Sequence, residues 1–304
     1  MNDNASLNRS AAFASIAVAL LLVGMKVWAV FSTGSTAMLG SLADTTLDLV
    51  ASLATLAGVW VAAQPDDENH RFGHGKAEAL AAMFQVVLIS ISALSLAFRA
   101  VNQWIAGARP EGAEGGIVVS VIAMVATVAL LAWQRYVIRK TKSLAISTDH
   151  VHYQSDILLN LAVIAALALD QYVGIAGADP FFGLAIALWL GWGAWGASQQ
   201  AIEQLMDHEW PEERRQAFLE AVARHPEIKG LHDLRTRTSG DRDFVQFHLA
   251  VNGDMTVRQA HVIMDEVEAI LKKEFPGVEI LIHPDPEGHV DPTDMSSEDL
   301  LAKL

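Results

Sequence analysis

Two pairs of residues in the chain have the chemistry of a cation site: Asp44 with Asp48, and His152 with Asp156. A separation of four positions puts both members of a pair on one helix face, about 6 Å apart along the axis. Both pairs stand inside long apolar runs. An Asp at the centre of a spanning helix costs about 2.5 to 3.5 kcal/mol on insertion scales, so three of them need compensation. Three carboxylates and an imidazole brought together repel one another unless a bound cation or shared protons neutralise them. Four oxygen and nitrogen ligands suit a tetrahedral divalent ion, zinc first. The competing reading satisfies each side chain separately by hydrogen bonds to neighbouring helices. That reading suits a lone intramembrane histidine better than two matched pairs. His150 lies on another face from His152 and is expected not to be a ligand.

Two weaker clusters accompany these pairs. Asp67, Glu68, His70 and His74 fall in the polar stretch 64–76. The His-x-x-x-His spacing can chelate, with Asp67 completing the set, but a solvated loop has the same composition. Gly75-Lys76 is not a phosphate-cradling loop, since the Ser or Thr after Lys and the earlier Gly are missing. Further on, His232, His248, His261, His283 and Asp285 fall on predicted strands, a helix and a strand end. Each is isolated in sequence, so unrelated surface histidines remain an open reading there. His208, His225 and His289 are expected to be solvated.

The elements that must position these residues follow from hydropathy. The chain is 52% hydrophobic and only 18% charged, below the roughly 25% charged of ordinary soluble domains. A disordered chain, a collagen and a small disulfide scaffold are thereby excluded. Cysteine is absent, which excludes thiolate zinc sites and a catalytic thiol, so any metal site must use His, Asp or Glu. The net charge of −14 is concentrated in the acidic C-terminal third and suits cations better than nucleic acid.

Six segments approach or exceed the roughly 20 apolar residues that cross a bilayer: 11–31, 36–63, 77–101, 116–138, 143–173 and 180–200. The first is too long for a cleavable signal and is expected to stay. Arg9, Arg71, Lys76, Arg135, Arg139, Lys140 and Lys142 flank one side, against Arg99 and Arg109 on the other. The bias predicts both termini in the cytoplasm. Lys26, inside the first segment, is expected to snorkel. In this arrangement Asp44 and Asp48 lie roughly 12 and 18 Å below the outer surface, and His152 and Asp156 roughly 14 and 20 Å above the inner one. All four then share one layer near the middle of the bilayer.

Past residue 205 the apolar runs stop. Residues 212–224 have helical spacing, 232–238 and 243–251 alternate as strands, Thr256 can cap a helix to residue 274, and 278–283 reads as a last strand ending at Pro284. The fold class is therefore a six-helix transmembrane domain (1–206) followed by a small α+β cytoplasmic domain (207–286). A loose polar tail (287–304), with Pro292, Ser296 and Ser297, is expected beyond it.

At Ser41-Leu-Ala-Asp-Thr-Thr-Leu-Asp48, His70-Arg-Phe-Gly-His-Gly-Lys-Ala-Glu78 and His152-Tyr-Gln-Ser-Asp156 the chain resembles the cation diffusion facilitator family, close to its bacterial zinc and ferrous-iron efflux branch. The resemblance covers roughly residues 10–286. It implies a homodimeric secondary antiporter of the bacterial inner membrane, expelling Zn²⁺, Cd²⁺ or Fe²⁺ in exchange for protons. It implies further that Asp44, Asp48, His152 and Asp156 form the transport site, that Asp67, His70 and His74 bind metal in the loop, and that His232, His248, His261, His283 and Asp285 form a binuclear site tying the cytoplasmic domains together. Lys76 and Asp207 match a charge interlock near the dimer hinge. Pro284 departs from the Gln frequent in close relatives. Zinc is the expected ion, as cargo and as resident; no organic cofactor or nucleic acid is expected, and lipid surrounds the first domain.

Competition between zinc and protons for the same groups gives antiport when the site opens to one side at a time, and His titrates in the right range. The chain thus reads as a transporter rather than an enzyme. An intramembrane protease lacks its Gly-x-Gly-Asp or His-Glu-x-x-His signature. A passive channel would conduct without proton coupling. A membrane-anchored metal sensor would have no use for Asp44 and Asp48.

Overall fold

The computed structural model describes residues 3–33, 36–106, 117–168, 178–289 and 299–303. These divide into two compact units, Met1–Ile202 and Glu203–Leu304. Arg109 and the 169–177 connection, on which part of the topology reading rests, lie outside the described residues.

The first unit is built from the apolar runs, as helices α1 (Asp3–Thr33), α2 (Thr36–Ala62), α3 (Lys76–Ala106), α4 (Ile117–Thr141), α5 (Leu144–Ala168) and α6 (Ala178–Leu205). Several outrun their apolar stretch, because hydropathy marks the part in hydrocarbon while the backbone ladder continues into polar flanks. α1 to α4 and α6 each carry a stretch long and apolar enough to cross a membrane. α5 has 25 residues, about 38 Å of helix, and carries His152 and Asp156. This is a multi-pass membrane protein.

Its exposed side chains fit that conclusion: Leu94, Phe98, Leu188 and Trp192 are all more than two thirds exposed, as suits a lipid-facing surface. Small residues fill the interior, among them Ala11, Ala12, Ala19, Ala51, Ala79 and Ala82, because close backbone approach is what packs helices in a membrane. Gly58 shows the requirement directly: a Cβ there would collide with the Ala81 methyl of α3 and lie 3.1 Å from the Ala77 carbonyl. Lys26 does not follow its expected snorkelling path. Its ammonium donates to Thr45 Oγ1 of α2, drawn by Asp44, Asp48 and Asp156, with which it interacts electrostatically.

In the second unit the order is α7 (Glu212–Val222), β1 (Gly230–Ser239), β2 (Arg242–Val251), α8 (Val257–Glu274) and β3 (Val278–Pro286). Thr256 caps α8 in a capping box: Gln259 N donates to Thr256 Oγ1 at 3.3 Å and Thr256 N to Gln259 Oε1 at 2.9 Å, satisfying two otherwise orphaned donors. The sheet order is β1-β2-β3, antiparallel then parallel. Val245, Phe247, Leu249 and Val251 alternate onto the core with Phe218, Ile263, Val267 and Leu271. β3 runs through Pro284 to Pro286, past its expected end, because it is an edge strand and proline's missing donor is tolerated there.

Two expectations are corrected here. His225 is not solvated; it is buried, with Nε2 2.8 Å from Glu266 Oε2. Nor is the whole tail loose. Residues 290–298 lie outside the described residues, but Asp299 Oδ1 accepts from Leu231 N at 3.1 Å, Leu300 N donates to Leu231 O at 2.8 Å, and Leu300 and Leu301 pack on the core. Apolar Leu300 and Leu301 and the edge of β1 bring the chain's end back.

Candidate metal centres

Three groups of His and Asp, among the described residues, each bring one ligand atom per residue within 4.8 Å of one another. The first joins α2 to α5: Asp48, His152 and Asp156. His152 Nε2 is 2.9 Å from Asp48 Oδ1, and His152 is buried. One imidazole and two carboxylates are a donor set that a divalent transition ion accepts. Asp44 stands outside this group. It sits one turn before Asp48 and is exposed, so the one-face spacing does not by itself deliver the fourth ligand. His150 is also outside, with Nδ1 3.2 Å from Gln134 Oε1.

The second group is the loop between α2 and α3: Asp67, His70 and His74. Asp67 Oδ1 accepts from the backbone N–H groups of Asn69 at 2.8 Å and His70 at 2.6 Å. The same oxygen lies 3.1 Å from His70 Nδ1, and Oδ2 lies 3.4 Å from His74 Nε2. The His70 backbone N–H, followed by the Asn69 N–H and the His70 ring, holds the Asp67 carboxyl below its ordinary value of 3.8. A carboxylate kept ionised beside two imidazoles is chemically ready for a cation. Glu68 is not in the group.

The third group, His232, His248 and Asp285, is assembled by strand register. His232 pairs with His248, and His248 with His283, so three histidines form one row across the sheet. Asp285, two residues on from His283 along β3, is buried beside them. Its Oδ2 lies 3.3 Å from His232 Nε2 and 2.9 Å from His248 Nδ1, and its Oδ1 lies 3.3 Å from His283 Nε2. His261 stays apart on the exposed face of α8, 3.9 Å from Asp265. Within one chain the set of five is therefore four plus one.

The two residues expected to form a charge interlock fall in different units. Lys76 is the first residue of α3. Asp207 has a left-handed backbone, φ 55°, and its Oδ2 lies 3.5 Å from Arg237 Nη1.

The cation efflux transmembrane domain model matches residues 12–206, and the model of the cation efflux protein cytoplasmic domain matches 210–287. The chain belongs to the cation efflux, or cation diffusion facilitator, family. Among family members, the cation-efflux pump FieF of Cronobacter sakazakii is 42% identical over 94% of this chain and 95% of its own length. FieF of Serratia proteamaculans is likewise 42% identical, over 93% of this chain and 94% of its own. Of solved structures, the zinc form of CzrB is 42% identical, covering 28% of this chain and 98% of that one with a TM-score of 0.25.

Three residues at these centres escaped sequence reasoning. Lys26 reads as an isolated charge, and nothing in its spacing signals Thr45 as its partner. Asp233 reaches His248 at 3.9 Å only because the pairing register of β1 shifts between His232 and Arg235. Asp149 is wholly buried one turn before His152, and its partners come from three other helices. An Asp in the same apolar run as His152 was its one visible signal.

Proposed function

We propose that the protein exports divalent transition-metal ions, zinc above all, from the cytoplasm in exchange for protons, through a site that opens to one side at a time. The observation that carries this reading is the convergence of Asp48, His152 and Asp156 between two membrane helices. Buried ionisable groups in a membrane interior are expensive and mark ion pathways. The similarity to proteins named as cation-efflux pumps over nearly the whole chain supports the direction of transport.

Metal binding needs deprotonated ligands, so zinc and protons exclude each other at Asp48, His152 and Asp156. Facing inward, zinc displaces the protons; facing outward, protons displace zinc. Asp44, on the exposed side of the same helix face, receives the ion as it enters or leaves and completes the ligand set. Asp67, His70 and His74 hold metal in the cytoplasmic loop. His232, His248, His283 and Asp285 hold it in the C-terminal domain, and His261 completes that set in a homodimer. Lys76 and Asp207 act as a charge pair at the dimer hinge. On this reading residues 1–206 transport, 207–286 bind metal and dimerise, and both termini face the cytoplasm of the bacterial inner membrane.

The test is a proton count. In proteoliposomes loaded with a pH-sensitive dye, zinc added outside is expected to move protons in the opposite direction to zinc. Zinc flux without proton movement would contradict antiport, and proton-tight vesicles that take up no zinc would point to a membrane-anchored metal sensor.

A further inference from the structure

Asp149 is wholly buried, belongs to none of the three metal groups, and has no role in the exchange described above. A carboxylate removed from water costs several kcal/mol unless its lone pairs are filled. Here they are filled from three helices. Ser15 Oγ of α1 donates to Oδ2 at 2.6 Å, Gln134 Nε2 of α4 donates to the same oxygen at 2.8 Å, and Gln85 Nε2 of α3 donates to Oδ1 at 3.1 Å. Gln134 also donates to Ser15 Oγ at 3.0 Å, and Gln85 to Thr55 Oγ1 of α2. The next turn of α5 adds a second tie: the Tyr153 hydroxyl is 2.9 Å from Ser52 Oγ of α2 and donates to the Ser15 carbonyl at 3.2 Å.

Asp149, His152 and Asp156 stand at i, i+3 and i+7, a single stripe along α5. Whatever fixes the rotation of the helix at Asp149 therefore fixes the direction in which His152 and Asp156 leave it. We infer that Asp149 is a positioning residue of the membrane metal site, locking α5 against α1, α3 and α4 so that His152 and Asp156 face Asp48. It touches no ion. Its contribution is geometric, in the way that partners hydrogen-bonded behind metal ligands set affinity by 10- to 100-fold.

Geometry and charge make opposite predictions for the amide. In Asp149→Asn the remaining oxygen still accepts from Ser15 and Gln134, while the new amide N–H faces Gln85. Gln85 Oε1 is buried without a hydrogen-bond partner among the described residues. A turn of that side chain presents Oε1 to the new donor, and the lock closes without charge. Asp149→Ala opens it.

The inference rests on the transport reading, and its test separates the two. Zinc uptake is measured in proteoliposomes of the full chain for wild type, Asp149→Ala, Asp149→Asn and Asp48→Ala. Asp149→Ala is expected to raise KM for zinc about tenfold or more with kcat reduced less, and Asp149→Asn to stay within about threefold of wild type. Where Asp149→Ala does not reach the membrane, Gln134→Leu removes the α4 arm, with its contacts to Ser15 and His150, leaves the α1 and α3 arms, and is expected to raise KM severalfold. A normal KM in Asp149→Ala, or in Gln134→Leu where it stands in, overturns the inference, as does an Asn variant as impaired as Ala. Full uptake by Asp48→Ala would instead remove the transport reading itself.

Discussion

His152 Nε2 and Asp48 Oδ1 lie 2.9 Å apart, joining α5 to α2 across 104 residues of chain. On the proposed reading, His152 sets the character of the membrane site, because it is the group's sole nitrogen donor beside two carboxylates. Exchanging that nitrogen for a third carboxylate makes the site harder. His152→Asp is expected to lose preference for zinc and gain uptake of Mn²⁺, read by competition between the two ions in proteoliposomes. Unchanged selectivity would remove His152 from the ligand set.

Lys26 places a positive charge near three carboxylates and is held there by Thr45. Replacing it with Met removes a repulsion felt by any arriving cation. Zinc is expected to bind about tenfold more tightly, the equivalent of about 1.4 kcal/mol of repulsion removed, with KM falling accordingly. An unaltered KM would mean the ammonium is screened from the site.

The loop site has a pH signature of its own. Hydrogen bonds from His70 N–H and Asn69 N–H favour ionised Asp67, holding its pKa below 3.8. What this contact contributes to the folded loop is thus present above that value and lost as pH falls through the lower folded one. Carboxyl NMR of the protein without metal is expected to show Asp67 titrating below 3.8. Asp67→Asn, in turn, should weaken zinc binding at the loop across the whole range from pH 5 to 8. A loss confined to the acid end would point to the histidines alone.

In the C-terminal domain zinc should act as a staple. A ligand that binds only the folded form stabilises it by about 2.7 kcal/mol at 100 times its Kd. Zinc is expected to raise the unfolding temperature of this domain in the full chain and to strengthen dimerisation, and His232→Ala with His248→Ala should abolish both. A metal-independent dimer would leave His232, His248 and Asp285 as a polar cluster only.

The docked chain end is testable as structure alone. Asp299→Ala leaves Leu231 N–H without that acceptor and is expected to cost about 1 kcal/mol, seen as a lower unfolding temperature of the C-terminal domain. No change would mean that Leu300 and Leu301 hold the segment unaided.

What could be read without the structure follows the range of the interaction. Asp48, His152 and Asp156 declare themselves because carboxylates in apolar runs are costly and helix periodicity places them on faces. The capping box at Thr256 is local and equally visible. His232, His248 and His283 form a row only through strand register, which no isolated histidine reveals. Asp149 showed only as an Asp in an apolar run, and its role was hidden for the same reason: Ser15, Gln85 and Gln134 are ordinary polar residues until three helices turn them to one point. Asp44 marks the limit of periodicity, since sharing a helix face with Asp48 did not place it in the cluster.

The central claim is that the membrane site moves metal under a proton gradient. Its most direct test is zinc uptake into proteoliposomes with an imposed pH gradient, comparing wild type with Asp48→Ala. Gradient-dependent uptake in wild type that is lost in Asp48→Ala, with zinc binding to the C-terminal domain retained, is the predicted result. Equal uptake by both proteins, or uptake indifferent to the gradient, would contradict it.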